Sequence, residues 1–196
     1  MSIPENVERK LSPEEEARKE KWLKDLSTFI VEANTHTWAA EGAEVKVPQR
    51  PKYKELQWPL PDPNTGKIEG GWELRDSYTG YFRAPWMTTI YYKGEPAWTM
   101  AYGRTGMMED KYDITKATFD FLKKALMLVT TEMPYRGLPL EEGNRRYEIQ
   151  ANGNLEDFDG QEKTFEDNEL TFTQYFFGGI VIDKDAKRQP VYPWNR

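Results

Sequence analysis

The stretch that decides the fold is residues 82–102, FRAPWMTTIYYKGEPAWTMAY. Its side chains follow a period of two through Phe82–Tyr92 and again through Ala97–Tyr102, which is the period of a strand with one buried face. Residues 93–96 (KGEP) separate the two runs and are typical of a tight turn. The stretch therefore predicts a β-hairpin of two adjacent antiparallel strands.

Further strands are predicted on both sides of this hairpin. The same alternation predicts four of them, at Trp72–Tyr78, Arg146–Ala151, Leu155–Phe165 and Glu169–Asp183. The second and third of these are separated by Asn152-Gly153-Asn154, a strong hairpin turn. The last contains Gly178-Gly179, and paired glycines inside a strand indicate a bulge or a close approach by another backbone or by a ligand.

Two helices are predicted by apolar residues at helical spacing, over residues 12–35 and from Asp113 to Thr131. The first begins with a capping box, in which Ser12 is the N-cap and Glu15 stands three residues later. Between this helix and the first strand, the many prolines of residues 43–71 predict an extended connection.

The order of these elements indicates an α+β fold with a mostly antiparallel, twisted sheet of about six strands and two main helices packed on one face. Residues 1–11 are expected to be a flexible tail, and residues 12–196 a single domain. Within that domain the sheet-and-helix body is expected to span residues 72–183.

Composition removes several classes of function. The chain has no cysteine and one histidine, His36, which excludes thiol catalysis and multi-histidine or cysteine-ligated metal sites. Its net charge of -6 is the wrong sign for neutralising phosphates, so we expect no nucleic-acid partner. Residues 141–170 hold ten Asp and Glu against three Lys and Arg, which predicts one acidic edge. Neither a signal peptide nor a membrane span is evident, so a cytoplasmic location is expected, with no membrane partner.

A set of short motifs rich in glycine and aromatic residues carries a resemblance. They are Tyr91–Trp98 (YYKGEPAW), Ala125-Leu126, Tyr135-Arg136-Gly137, Phe158 with Gly160 and Glu162, and Tyr175 with Gly178-Gly179. Together they resemble a family of uncharacterised microbial α+β domains, found alone or C-terminal to a helix-turn-helix in repressor-like regulators. The resemblance covers residues 72–183, implies a sensor or assembly role and transfers no functional residues. This chain lacks the helix-turn-helix pattern, which argues further against DNA binding.

Four arginines lie among aromatic residues and glycines, namely Arg75, Arg83, Arg104 and Arg136. An arginine in a partly dry aromatic site can bind a carboxylate or phosphate or stack on a ring, and the alternative is that each arginine pairs with a nearby acidic residue. We therefore expect non-enzymatic binding of a small anionic or aromatic ligand on one sheet face. The expected site residues are Trp72, Arg83, Trp98, Tyr102, Arg104 and Tyr175. No cofactor or metal ion is expected.

Two other functions stay open at this point. Asp76 and Glu162 would form the acid–base pair of an enzyme if they faced a shared aromatic pocket. A protein–protein module using the N-terminal helix and the strand edges, with a homodimer as one form, is the other alternative. In addition, Asp157, Asp159, Gly160 and Glu166 match positions of an EF-hand loop, but Leu155 stands where the first carboxylate is required, so a solvated strand pair is preferred.

Overall fold

A computed structural model describes residues 10–39, 42, 44–103 and 109–196. Within them the chain forms helices α1 (Pro13–Asn34) and α2 (Tyr112–Leu126) and two short 3-10 helices, Glu69–Gly71 and Pro193–Asn195. The strands are β1 (Glu44–Lys46), β2 (Lys54–Trp58), β3 (Trp72–Tyr78), β4 (Trp86–Tyr92), β5 (Glu95–Gly103), β6 (Leu140–Glu142), β7 (Arg145–Asn154), β8 (Asp157–Glu166), β9 (Glu169–Ile180), β10 (Asp183–Lys184) and β11 (Pro190–Val191).

Nine of these strands form one sheet in the order β1-β2-β3-β4-β5-β9-β8-β7-β6, and β10 pairs with β11 separately. All neighbouring strands run antiparallel. The predicted α+β class and antiparallel sheet are confirmed, but the expected number of about six strands is wrong. Strands β1, β2 and β6 have three to five residues, which is too short for an alternation of side chains to show in the sequence. Two of them lie inside the proline-rich segment, β1 before Pro48 and β2 between Pro51 and Pro59.

The predicted hairpin forms as β4 and β5, which pair antiparallel, but β4 begins at Trp86, four residues later than the predicted Phe82. Its turn is made by Lys93 and Gly94, with φ angles of 52° and 84°, as a two-residue hairpin turn with left-handed backbone requires. The reversal between β7 and β8 lies at Leu155-Glu156, two residues later than predicted. There Asn154 Oδ1 accepts a hydrogen bond from the Glu156 amide (2.8 Å), which fixes the turn at this position.

A close backbone approach explains Gly178 in β9. A Cβ at this position would overlap the carbonyl oxygen of Thr99 on the adjacent strand β5. It would also come within 2.8 Å of the Phe158 ring, on the other neighbouring strand β8. The prediction that the glycine pair marks an approach by another backbone is therefore confirmed.

Both helices cover one face of the sheet, which we call the inner face. Helix α1 begins after Ser12, whose Oγ accepts a hydrogen bond from the Glu15 amide (3.2 Å), as the capping box predicted. Its Trp22 and Phe29 rings lie 5.5 and 5.6 Å from the ring of Trp72 in β3. Helix α2 packs Phe119 against Phe172 of β9, with centroids 5.6 Å apart. The buried apolar core therefore lies between the two helices and the inner face.

The ends of the two helices are joined where they meet over the sheet. Asn34, the last residue of α1, is buried and donates a hydrogen bond from Nδ2 to the carbonyl oxygen of Leu126, the last residue of α2 (2.7 Å). The same carbonyl oxygen accepts a longer hydrogen bond from the Val129 amide (3.4 Å), so the Asn34 side chain is its closer donor. In the described part of the chain, no helix has the combination of length and apolar character that crossing a bilayer requires.

Candidate functional site

A cavity of about 530 Å³ opens between α2 and the inner face of strands β2–β5. This volume lies within the range of small-molecule sites in proteins. The sheet contributes Leu56, Tyr78, Trp86 and Tyr102, helix α2 contributes Phe119 and Leu122, and the segments outside these elements contribute Trp38, Ala84 and Arg136.

One wall of the cavity is a row of three aromatic side chains. Strand register places Tyr78 opposite Trp86 and Trp86 opposite Tyr102, so the three rings lie side by side across β3, β4 and β5. The Tyr78 and Trp86 rings are stacked with centroids 4.3 Å apart and an interplanar angle of 13°. The Trp86 and Tyr102 centroids are 5.6 Å apart. The Tyr78 and Trp86 rings therefore turn their faces toward each other, and the row forms an aromatic wall against which a planar ligand can pack.

Beneath this wall lies a buried polar cluster, which consists of Asp76, Tyr102, Arg136, Tyr147, Glu162 and Gln174. Its centre is the ion pair of Arg136 with Glu162, whose side chains are 1% and 0% exposed. Arg136 donates to both carboxylate oxygens, from Nε to Oε2 (2.9 Å) and from Nη2 to Oε1. Glu162 also accepts hydrogen bonds from the Tyr147 hydroxyl (2.5 Å) and from Gln174 Nε2. The Glu162 carboxyl group thus accepts hydrogen bonds from four donors, as a buried acidic side chain requires.

Arg136 is charged despite its burial. Burial alone would lower its pKa, but attraction to Glu162, together with the interaction with Tyr147, outweighs that effect and raises the pKa above its ordinary value. Its Cζ lies 5.1 Å from the ring centroids of both Trp38 and Tyr102. A guanidinium over two rings gains cation–π attraction. Arg136 therefore connects the charged cluster to the aromatic lining of the cavity.

Asp76 forms the second acidic part of the cluster. The residue is fully buried, and its Oδ1 accepts hydrogen bonds from Thr88 Oγ1 (2.7 Å) and from the Tyr102 hydroxyl (2.8 Å). Burial nevertheless raises the pKa of Asp76, because desolvation outweighs these hydrogen bonds and the attraction of Arg136. Burial, followed by the charge of Asp76, raises the pKa of Tyr102 well above its ordinary value. The tyrosine is therefore a hydrogen-bond donor at neutral pH.

We expect Asp76→Asn to gain stability relative to the wild type as pH rises from 4 to 8. Because the folded-state pKa of Asp76 lies above the unfolded-state value, the unfolded chain loses this proton first, and wild-type stability falls as pH rises through the folded-state pKa. The difference in unfolding free energy between Asp76→Asn and the wild type should change by up to about 1.4 kcal/mol per pH unit while the pH lies between the unfolded-state and folded-state pKa values of Asp76. Urea unfolding at each pH measures it, with Asp159→Asn, an exposed carboxyl, as the control. Parallel pH profiles for the wild type and Asp76→Asn would contradict this expectation.

Of the six predicted site residues, the structure brings Tyr102 to the cavity lining. Trp72 packs under α1, and Trp98 is buried in the core with its ring 5.5 Å from that of Phe158. The Arg83 side chain is 68% exposed and pairs with Glu109. Tyr175 lies on the outer face of β9, opposite the helices. Arg104 falls outside the described residues. Ligand binding by these residues stays a prediction, and the five that the structure describes do not converge on one site.

The sequence interpretation missed most of the cavity lining. The sequence marks Arg136 as an arginine among aromatic residues, but the expected site does not include Arg136, Trp38, Tyr78 or Trp86. The available signal was the alternation in β3–β5, which puts Tyr78, Trp86 and Tyr102 on the same face as Asp76. That signal requires the strand register, which the individual strands do not specify.

The two carboxyl groups proposed as an acid–base pair are both fully buried around Arg136. Neither Asp76 nor Glu162 lines the cavity, and Glu162 is occupied by four donors. A general acid or base has to reach the proton it transfers. The arrangement therefore gives the enzyme alternative no support, and that alternative stays a prediction.

The acidic residues 157–166 lie along a single strand, β8. At about 3.3 Å per residue an extended strand separates Asp157 from Glu166 by roughly 30 Å, so the two carboxylates cannot surround one ion. Asp159 faces outward and accepts a hydrogen bond from Asn152 Nδ2 (2.9 Å). Among the described residues, no three His, Asp or Glu side chains form a group able to hold a metal ion.

Comparison with known proteins gives one match. The model of a family described as a domain of unknown function, DUF5680, matches residues 76–181, which is more than half of the chain. No curated protein matches the chain, and no solved structure matches it. The matched segment begins at Asp76 and contains the Arg136–Glu162 pair at the base of the cavity. The chain therefore belongs to the DUF5680 family, whose function is unknown.

Proposed function

We propose that the protein binds a small aromatic ligand in the cavity between α2 and strands β2–β5, without catalysing a reaction on it. The observation that carries this proposal is the row of Tyr78, Trp86 and Tyr102 facing a cavity of about 530 Å³, with the Arg136 guanidinium at its base. Aromatic walls with a few polar groups are the usual composition of a small-molecule site. Stacking supplies the affinity, and the polar groups orient the ligand.

The role that fits such binding is that of a sensor or of a protein that sequesters its ligand. The resemblance implied that related domains occur behind helix-turn-helix segments in regulators of microbes, where a ligand site would control DNA binding. In this chain α1 and α2 are separated by five strands, and the described residues form no pair of consecutive helices joined by a short turn. The net charge of -6 also disfavours contact with DNA. We therefore assign the sensing part of such a role to this chain, without the DNA-binding part.

The N-terminal helix gives little support to the protein–protein alternative. Its apolar stripe is already covered, since Trp22, Leu26 and Ile30 are each at most 5% exposed. The part of α1 that faces solvent is mainly charged. A helix with its apolar face packed on its own sheet has little left to offer a partner through that face. Homodimer formation stays a prediction.

The proposal is tested by filling the cavity. Ala84 lines it and Ala101 lies on the outer face of β5, so Ala84→Phe places a ring in the cavity and Ala101→Phe places the same ring outside it. We expect indole, 2-naphthol or quinoline to bind the wild type and Ala101→Phe with one-to-one stoichiometry, and Ala84→Phe to bind at least about tenfold more weakly. A ligand at a hundredfold excess over its Kd should stabilise the wild type by about 2.7 kcal/mol.

Calorimetric titration measures the affinity, and native mass spectrometry of the purified protein detects a ligand that co-purifies. Equal binding to the wild type and Ala84→Phe would place the ligand elsewhere and contradict the proposal. The proposal also fails if none of the compounds binds and no small molecule accompanies the protein.

A further inference from the structure

Gln174 contributes a hydrogen-bond acceptor to the cavity. The residue lies on the inner face of β9, lines the cavity and is 5% exposed. Its Nε2 donates to Glu162 Oε1, whereas no described protein group donates to its Oε1. This oxygen is not one of the enclosed polar atoms that lack a partner, so solvent reaches it. Because the side chain is on the inner face, solvent reaches the oxygen through the cavity.

The contact with Glu162 decides which end of the Gln174 amide is available. The Glu162 carboxylate, paired with Arg136, accepts hydrogen bonds, so the amide nitrogen has to be the end that is turned toward it. The oxygen is on the other branch of the same planar amide and is therefore turned away from Glu162. Exchanging the two ends would lose the hydrogen bond and place two acceptor oxygens against each other. The amide thus has one favourable orientation, with its oxygen free to accept.

This acceptor lies next to the aromatic wall. Tyr102 of β5 is paired in register with Phe176 of β9, so Gln174, two residues before Phe176, is a diagonal neighbour of Tyr102 on the same face. Diagonal positions of an antiparallel pair are about 7–8 Å apart, within reach of long side chains. Gln174 also shares Glu162 Oε1 with Arg136, which places it at the base of the cavity. A ring packed against Tyr102 can therefore direct a polar group to Gln174 Oε1.

The charge of that polar group follows from the side chains around the cavity. A carbonyl or carboxylate group of a ligand cannot bond to Gln174 Oε1, because all of these oxygens are acceptors. A cationic donor is disfavoured, since like charges repel strongly where water is excluded. Among the described residues of the lining, basic side chains outnumber acidic ones, with Lys54, Lys116, Lys123 and Arg136 against Glu44 and Asp120.

We infer that the ligand is a neutral aromatic compound with an N–H or O–H group, such as an indole or a phenol, which donates a hydrogen bond to Gln174 Oε1. This inference rests on the binding function proposed above and names its ligand class. The ring of the ligand packs against the row of Tyr78, Trp86 and Tyr102, while its donor points to the base of the cavity.

The experiment compares indole with benzofuran, which have nearly the same size and shape and differ in whether the five-membered ring carries an N–H group. At pH 7 we expect indole to bind the wild type at least about fivefold more tightly, because benzofuran leaves the acceptor without a donor. Benzofuran is the more apolar compound, so a cavity that selects for apolar character alone would prefer it. Calorimetric titration measures both affinities.

Gln174→Met removes the acceptor at similar side-chain volume and should abolish the preference for indole. Gln161→Met is the matched control, because Gln161 lies on the outer face of β8 and also donates from Nε2 to a neighbour, Thr173 Oγ1 (3.1 Å). It should keep the wild-type preference. Gln174→Met also takes one donor from Glu162, so both variants are titrated below their unfolding transitions. The comparison of the two compounds on the wild type holds even if Gln174→Met does not fold.

Tighter or equal binding of benzofuran to the wild type overturns the inference, and so does a Gln174→Met protein that keeps the wild-type preference. If benzofuran binds at least as tightly as indole and Ala84→Phe weakens both, the cavity is a binding site without this selectivity, and the proposed function stands alone. If neither compound binds the wild type, the inference is wrong, and native mass spectrometry decides the proposed function separately.

Discussion

Replacing Arg136 with methionine is expected to lower the free energy of unfolding by about 3–5 kcal/mol. The substitution leaves the Glu162 carboxylate, which is 0% exposed, without its counter-charge and with two of its four donors removed. Urea unfolding followed by tryptophan fluorescence measures the loss. A change of this size is a large fraction of the stability of an ordinary domain.

Two further variants test whether the loss of stability in Arg136→Met comes from leaving the Glu162 carboxylate without a counter-charge. Arg136→Met combined with Glu162→Gln removes the buried charge and should be more stable than Arg136→Met alone. Lys123→Met removes a partly exposed cation from the same cavity and should cost less than about 1 kcal/mol. A loss below about 1 kcal/mol for Arg136→Met, or a double variant less stable than the single one, would mean that Glu162 is not held as a charged group.

Trp98→Ala is expected to lower the free energy of unfolding by about 3–5 kcal/mol while leaving affinity for a cavity ligand unchanged. The Trp98 side chain is 1% exposed, stacks on Phe158 at 5.5 Å and donates from Nε1 to the carbonyl oxygen of Leu155 (2.9 Å). It does not line the cavity. The substitution therefore removes core packing and one buried hydrogen bond without altering the site.

Trp86→Ala is the matched substitution on the same face of the sheet. Trp86 lines the cavity and is partly exposed, so this variant should lose less stability and more affinity than Trp98→Ala. Calorimetric titration with whichever of indole, 2-naphthol and quinoline binds the wild type, run on both variants below their unfolding transitions, provides the comparison. Loss of affinity in Trp98→Ala together with normal affinity in Trp86→Ala would contradict the position assigned to the ligand.

The parts of the fold that the sequence predicts well are those in which local chemistry and tertiary packing agree. Helix α1 carries both a capping box and an apolar stripe, and β3 has the predicted bounds of Trp72–Tyr78. The β4–β5 hairpin has a turn that requires left-handed backbone, and glycine at position 94 supplies it. Each of these elements is specified by a few neighbouring residues, so it can be predicted from a single sequence.

The site is harder to predict because it depends on which residues meet across distant segments. Trp98 and Tyr102 occupy the same strand and the same face, yet Trp98 is packed in the core and Tyr102 lines the cavity. In β9 the aromatic residues Tyr175, Phe176 and Phe177 are consecutive, so alternation does not reveal that Tyr175 points outward. Arg136 lies in a loop, and its pairing with Glu162 spans 26 residues. Such pairings are determined by tertiary structure and leave no periodic pattern.

The position of Trp38 has a consequence for how preference for a ligand can change. This residue and Leu56 form part of the cavity lining but precede the segment that matches the family, which begins at Asp76. The charged pair that stabilises the fold lies inside that segment. Substitutions at these two positions would therefore alter the shape of the cavity while the Arg136 guanidinium and the Glu162 carboxylate stay in place. One part of the lining can thus vary outside the segment that the family shares.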